Sequence, residues 1–291
     1  MRMIAVEAAL EAAAEPLPPH LGGILHGFVE RALLNHAHSL MPAIRPEGSD
    51  EYANLAIEPP PYGQPVETRF RFGCLLFGDA SASWRLLVRA ILKQAGFGLN
   101  KRALSIRQVW VCQAGGLLEA VVSDGQFIDE SCSSESPAWV KHAKLRPPDE
   151  AKALHACCLE FRSPLLLGSR GRIRRDRQVP WPTLKSVLDS IAKRMRALEP
   201  ELANALAISS DWCADERFEQ VDALTPAASP AQQVQWPYAI HRGIFKPGIV
   251  GKLIFVAPLG PVELALLEWG QWLGVGQQTT MGCGRYVLRP S

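Results

Sequence analysis

Hydrophobic and polar positions along this chain alternate or recur with enough regularity to outline two similar halves. Met3 to Leu10 is a short apolar segment ended by Pro16-Leu17-Pro18-Pro19. From His20 to Leu40 there is no proline, and Leu21, Ile24, Leu25, Phe28, Ala32 and Leu33 recur at helical steps. Gly22, Gly23 and Gly27 weaken the first turns of that helix by about 1 kcal/mol each relative to alanine, and glycine there would let another backbone or a phosphate come close. After a proline-rich loop, Val66 to Phe77 alternates as a strand should. Trp84 to Ala95 then places Trp84, Leu87, Val88, Ile91 and Leu92 on one helical face and Arg85, Arg89 and Lys93 on the other. Leu104 to Val111 and Leu117 to Val122 are predicted to pair as a hairpin around Ala114-Gly115-Gly116.

The second half repeats the scheme. A strand is predicted over Ala153 to Phe161, a helix over Trp181 to Leu198, and a further strand region from Leu206 to Arg217. Strands at Tyr238 to Phe245 and Val250 to Ala257 follow, then a helix at Pro261 to Leu273 and a last strand at Arg285 to Arg289. The polar, serine-rich stretch 129–150 reads as a linker. The expected architecture is α+β, with tandem ferredoxin-like (RRM-like) domains. Residues 1–128 form the first domain and 151–291 the second, which ends in a glycine-rich loop.

Composition narrows the class. A chain of 291 residues, 47% hydrophobic, supports two buried cores. The net charge of +2 decides nothing by itself, because a basic patch can coexist with acidic residues elsewhere. The seven cysteines contain no CxxC pair, so neither a metal site nor a disulfide framework is supported. No apolar run is long enough for a membrane span and the N-terminus is interrupted by glutamates, so a soluble, cytoplasmic protein without cofactor or metal is expected.

Two features carry chemistry. Gly270 to Arg285 holds Gly270, Gly274, Gly276, Gly282 and Gly284 together with Gln277, Gln278, Thr279 and Thr280. Glycine at this density lets successive backbone N–H groups converge on an anion, although a tight helix-to-strand connection would need glycine as well. No Gly-Lys-Ser/Thr follows and no strand precedes, which excludes a Walker loop and a dinucleotide fingerprint. The second feature is Ser169-Arg-Gly-Arg-Ile-Arg-Arg-Asp-Arg177, five arginines in nine residues. Arginine forks match phosphate bidentately and stack on bases, so Arg170, Arg172, Arg174, Arg175 and Arg177 are read as RNA contacts. Lys193, Arg194 and Arg196 would extend that patch.

The loop pattern G-x-G-x-x-T-T-x-G-x-G-R-Y, running from Gly274 to Tyr286 after an apolar helix, resembles the C-terminal glycine-rich loop of the CRISPR RAMP-superfamily endoribonucleases that process precrRNA. Three other stretches resemble the same family in the same order. They are Phe72 to Gly78 with the following helix and Gly96 to Arg102, Leu159 to Leu167, and Gly248 to Phe255. The arginine run is similar to the insertion of crRNA-maturation proteins of type IV CRISPR systems.

This resemblance implies a metal-independent endoribonuclease that cleaves CRISPR repeat RNA to mature crRNA, leaves a 2′,3′-cyclic phosphate, and stays bound to its product among the other subunits of an effector complex. The alternative within the same family is a subunit that binds crRNA without cutting it. The family's catalytic histidine in the first helix corresponds here to the region holding His20, His26, His36 and His38. His26 lies beside the apolar stripe, where packing and catalysis are both open. His38 falls near the helix C-terminus, where the dipole favours a cation. Relatives carry a histidine at the place of Gly274 and an arginine at the place of Gly22, and neither is present. Near the family's Ser-x-Arg stands Tyr238-Ala-Ile-His-Arg-Gly, which makes Arg242 a phosphate clamp and His241 an acid or base. Gly274, Gly276, Gln277, Gln278, Thr279, Thr280 and Arg285 are expected to cradle the RNA.

Overall fold

The computed structural model describes residues 1–11, 17–46, 52–64, 66, 68–95, 102–112, 118–128, 154–166, 181–227, 230–239 and 244–290. The chain divides into two compact units, Met1–Leu145 and Arg146–Ser291. The expected linker at 129–150 lies outside the described residues.

In the first unit, β1 (Arg2–Leu10) leads to α1 (Gly22–His36), a 3-10 turn (His38–Leu40) and a short α2 (Met41–Ile44). Then come β2 (Leu55–Glu58), β3 (Arg69–Leu76), α3 (Trp84–Ala95), β4 (Leu104–Cys112), β5 (Leu118–Ser123) and β6 (Gln126–Phe127). The sheet order is β2-β3-β1-β4-β5-β6, antiparallel at each pairing, and its first four strands have the ferredoxin-like order. Ile4, Val6, Ala8 and Leu10 alternate along β1 into a core completed by Leu25, Phe28, Val29 and Leu33 of α1 and by Leu87, Val88 and Ile91 of α3. The two helices are tied by Asn35, whose Nδ2 donates to Gln94 Oε1 at 3.3 Å.

The second unit runs β7 (Leu154–Leu165), α4 (Leu184–Leu198), α5 (Pro200–Ala205), β8 (Gln232–Ala239), β9 (Ile244–Leu259), α6 (Pro261–Leu273) and β10 (Tyr286–Pro290). Its antiparallel order, β10-β7-β9-β8, is again ferredoxin-like. Thr183 caps α4, its Oγ1 accepting from Ser186 N at 3.2 Å, which is why the helix starts three residues after Trp181. Pro261 occupies the first turn of α6 and Gly274 ends it at φ +77°. Leu188, Ile191 and Met195 of α4, Leu266, Leu267 and Leu273 of α6, and Leu159, Leu253 and Phe255 of the sheet are fully buried.

Two expectations are corrected. Leu206 to Arg217 is no strand: Ala207 takes φ +55°, Trp212 N closes a turn on Ser209 O at 3.1 Å, and Asp215 caps a 3-10 turn over Glu216–Gln220. Nor is Tyr238 to Phe245 one strand. Pro237 pairs with Phe245 and Ala239 with Ile244 in antiparallel register, so the two ends of the stretch belong to different strands, β8 and β9.

Candidate RNA-binding and cleavage site

The glycine-rich loop is built against the end of β7. The β7–β9 register shifts between Phe161 and Leu165, freeing the backbone of that segment to serve the loop. Arg162 N donates to Arg285 O at 2.9 Å, Gly284 N to Pro164 O at 2.9 Å, and Gln277 N to Leu166 O at 2.8 Å. Two hydroxyls complete the rail: Ser163 Oγ accepts from Arg285 N at 2.8 Å, and Ser190 Oγ of α4 accepts from Gly276 N at 3.0 Å. Neither serine is marked by the sequence pattern, since a single hydroxyl at a strand end or on a helix carries no periodic signal.

This arrangement answers the choice between anion nest and tight connection. The N–H groups of Gly274, Val275, Gly276, Gln277, Met281, Gly282, Cys283, Gly284 and Arg285 all donate to protein acceptors. The loop's amides therefore hold its own shape along most of its length. The glycines serve close approach: Gly276 and Gly284 lie at φ +81° and +69°, and a Cβ at either would collide with the backbone carbonyl of Leu166 or Val275. Gln277 is exposed and Gly276, Gln278 and Thr280 are partly so, while Thr279 is buried.

Arg285 is one of the residues expected to cradle RNA. It is 4% exposed, and its guanidinium donates to the carbonyls of Trp272 and Thr279. Arg194, expected in the basic patch, is also buried and donates from Nε to Leu273 O at 2.8 Å. Both cations sit at the C-terminus of α6, where helix carbonyls lack intrahelical donors and the dipole is negative. For either to contact phosphate it would have to leave those carbonyls. Arg196 likewise donates to Ser209 O and Trp212 O, at 3.0 and 3.1 Å. Lys193 is exposed.

The remaining unit-two candidates, Arg170, Arg172, Arg174, Arg175, Arg177, His241 and Arg242, lie outside the described residues. The structure does place the points where their segments attach. The arginine run follows Leu166 at the end of β7, and the His241-Arg242 segment joins Ala239 to Ile244. Leu165 pairs with Ile249, five positions after Ile244, so the β8–β9 arm reaches about 16 Å beyond the β7 ladder. Tyr286 opens β10 opposite Phe161, near the same end of β7. All three segments are thus attached at one end of a single sheet.

In the first unit, His26 is 9% exposed on α1, among residues of the core face. Burial pushes its imidazole below the ordinary histidine range, opposed by Glu30 and assisted by Arg45, which are themselves ion-paired. A neutral buried imidazole has a consequence for stability. Its folded pKa is depressed, so below about pH 6.5 the unfolded chain binds more protons and stability is lost as the pH is lowered. Thermal melts between pH 5 and 8 should show this fall in the native protein and a smaller one in His26→Gln. His38 is exposed, in the 3-10 turn just past the end of α1. Gly23 and Gly27 face open space, where a Cβ would meet nothing within 4 Å, so neither is needed for protein packing.

Among the described residues no group of three His, Cys, Asp or Glu side chains could hold a metal ion. The thiols of Cys74 and Cys157 are pushed up to about 12 by burial, which makes them inert rather than nucleophilic. No helix of the described residues is long and apolar enough to cross a membrane.

Over residues 159–286 the chain matches the family of the CRISPR-associated endoribonuclease Cas6. A Thermus thermophilus Cas6 (TTHB231) in a product complex shares the fold with TM-score 0.61 at 17% identity, covering 99% of both chains. A second Cas6 (TTHA0078) product complex gives 0.56 at 18% identity, over 99% of this chain and 100% of that one. A RAMP protein described as binding different RNA substrates gives 0.51 at 8% identity, with 99% and 100% covered. No curated protein matches in sequence. The family match thus falls within the second unit, and over the whole chain the likeness to these solved structures is one of fold.

Proposed function

We propose that this protein cleaves CRISPR repeat RNA without a metal ion and keeps the mature crRNA bound within an effector complex of the type IV branch. The observation that carries the reading is the attachment of three segments at one end of the β7–β9–β10 sheet: the arginine run, the His241-Arg242 segment and the glycine-rich loop. Such a cluster suits an RNA strand whose backbone is held by arginine forks and whose scissile phosphate lies nearby. Exposed Gln277, with Gln278 and Thr280, adds uncharged donors at the loop surface.

Cleavage needs a base to take the proton of the ribose 2′-hydroxyl, an acid to protonate the departing 5′-oxygen, and a cation for the charge gathering on the phosphate. The 2′-oxygen attacks the adjacent phosphorus and the 5′-oxygen leaves, giving a 2′,3′-cyclic phosphate and a 5′-hydroxyl. Arg242 is assigned the cation. His241, beside it in the sequence, is assigned the proton transfers; His38 is the exposed histidine candidate of the first unit. His26, held neutral by burial, could act only if RNA binding opened its surroundings.

A second reading, a RAMP subunit that binds crRNA without cutting, is favoured by the packed position of His26 and by glycine at position 274. Incubation with repeat RNA in EDTA separates the two. The enzyme yields one discrete cut within the repeat; recovery of intact RNA from the complex would establish the binding-only subunit.

A further inference from the structure

We propose that Arg45 is a phosphate-contact residue of the RNA site, and that a phosphate drawn onto its guanidinium frees Glu30 to hold His26 as an imidazolium. This rests on the RNA-binding reading above. The three residues form one cluster in the first unit. At about 100° per residue, Gly23, His26, Gly27 and Glu30 share one side of α1, and His26 and Glu30 are neighbours a turn apart. Gly23 and Gly27 face open space, so the helix surface beside His26 admits a close approach. Arg45 ends α2, where its backbone N–H donates to Met41 O at 2.9 Å, and its Nε meets Glu30 Oε1.

The two members of the ion pair are unequally placed. The Arg45 side chain is 68% exposed and that of Glu30 only 18%. A pair so open to water on one side is weak, and among the described residues the Arg45 guanidinium has no further partner. A phosphate offers two oxygens to the guanidinium fork in a charge-assisted, bidentate contact. Its charge also repels the Glu30 carboxylate, and Arg45, not the enclosed Glu30, is the member free to move. The effect on His26 follows from sign. Burial opposes its cationic form most; the charges acting on it are Glu30 on its own helix, which favours that form, and Arg45 at the end of α2, which opposes it. Turning Arg45 outward onto an anion removes one opposing charge and leaves Glu30 without a competing partner. The proton affinity of His26 then rises, the proton coming from water, and the bound RNA gains a second cation beside Arg45.

The test uses the full chain and a repeat RNA with a 2′-deoxy sugar at the cut position. The salt dependence of binding is measured for the native protein, Arg45→Gln and Arg45→Lys. The titration of His26 is followed by NMR, with and without that RNA, in the native protein, Arg45→Gln and Glu30→Gln. For about six phosphate contacts the native log–log slope should lie near −4. Arg45→Gln should make it less negative by about 0.7, one contact to a single strand, and Arg45→Lys should restore it. The His26 midpoint should rise when RNA binds the native protein and stay in place when RNA binds either glutamine variant. A native slope in Arg45→Gln overturns the phosphate contact. A His26 midpoint unmoved by RNA in the native protein overturns the exchange with Glu30. Native protein with no salt-dependent RNA binding overturns the reading on which both rest.

Discussion

Replacing Gly284 by alanine should destabilise the second unit by about 3–4 kcal/mol. Two penalties combine. The backbone there sits at φ +69°, a region that costs an L residue about 1–2 kcal/mol. The new Cβ would also collide with the Val275 carbonyl oxygen and lie 2.8 and 2.9 Å from Val275 C and N. These are backbone atoms held in place, since Val275 N donates to Gly284 O at 3.1 Å, so relief requires the loop to open. Gly27→Ala is the natural control: it points into open space and should stabilise α1 by about 1 kcal/mol. Urea unfolding measures both. A Gly284→Ala midpoint equal to that of the native protein would show that the loop is not pinned to Val275.

Replacing Arg242 by alanine should lower the single-turnover cleavage rate by about 10²–10³-fold and leave RNA affinity nearly intact. A cation aimed at charge that develops only in the transition state contributes to rate and little to ground-state binding. Substitutions in the run from Arg170 to Arg177 should do the reverse, because contacts to phosphates remote from the cut act equally in both states. If Arg242→Ala weakens binding while the bound RNA is cut at the native rate, the division of labour is wrong.

Much of the fold is legible in the sequence wherever periodicity is strong. The apolar stripes of α1, α3, α4 and α6 and the alternation of β3, β4 and β9 lead to the two ferredoxin-like sheets that the structure shows. The misses share a cause, in that tertiary pairing overrode local pattern. β2 is only Leu55–Glu58, four residues beside Pro59 and Pro60, and exists because β3 pairs with it. β8 begins Gln-Gln-Val-Gln-Trp-Pro, polar and proline-bearing, and is a strand because β9 offers it an edge. Conversely Leu206 to Arg217 has apolar residues at strand-like intervals, yet turns at Ala207 and at Ser209–Trp212 break it.

The site was legible as a family pattern and much less as a set of contacts. Glycine density points to the loop, but not to what its glycines approach: those partners, Leu166 and Val275, are revealed only by the folded backbone. Arg194 and Arg285 look like exposed phosphate ligands in a sequence because arginine is rarely fully buried. Their acceptors, Leu273 and Trp272, belong to a helix end, and in the case of Arg194 the acceptor lies 79 residues away. The consequence is a sharper assignment. The loop's own N–H groups are mostly occupied within the protein, so the proposal places the charge that would hold RNA on the segments attached beside it.

On the proposed function, the bound RNA is cut by attack of its own ribose 2′-hydroxyl. The most direct measurement is a single-turnover incubation in EDTA with two repeat RNAs, one fully ribose and one with a 2′-deoxy sugar at the cut position. The first should yield a 5′ fragment ending in a 2′,3′-cyclic phosphate, identified by mass, and the second should be bound but never cut. Cleavage of the deoxy-substituted RNA, or a requirement for added divalent metal, would contradict it.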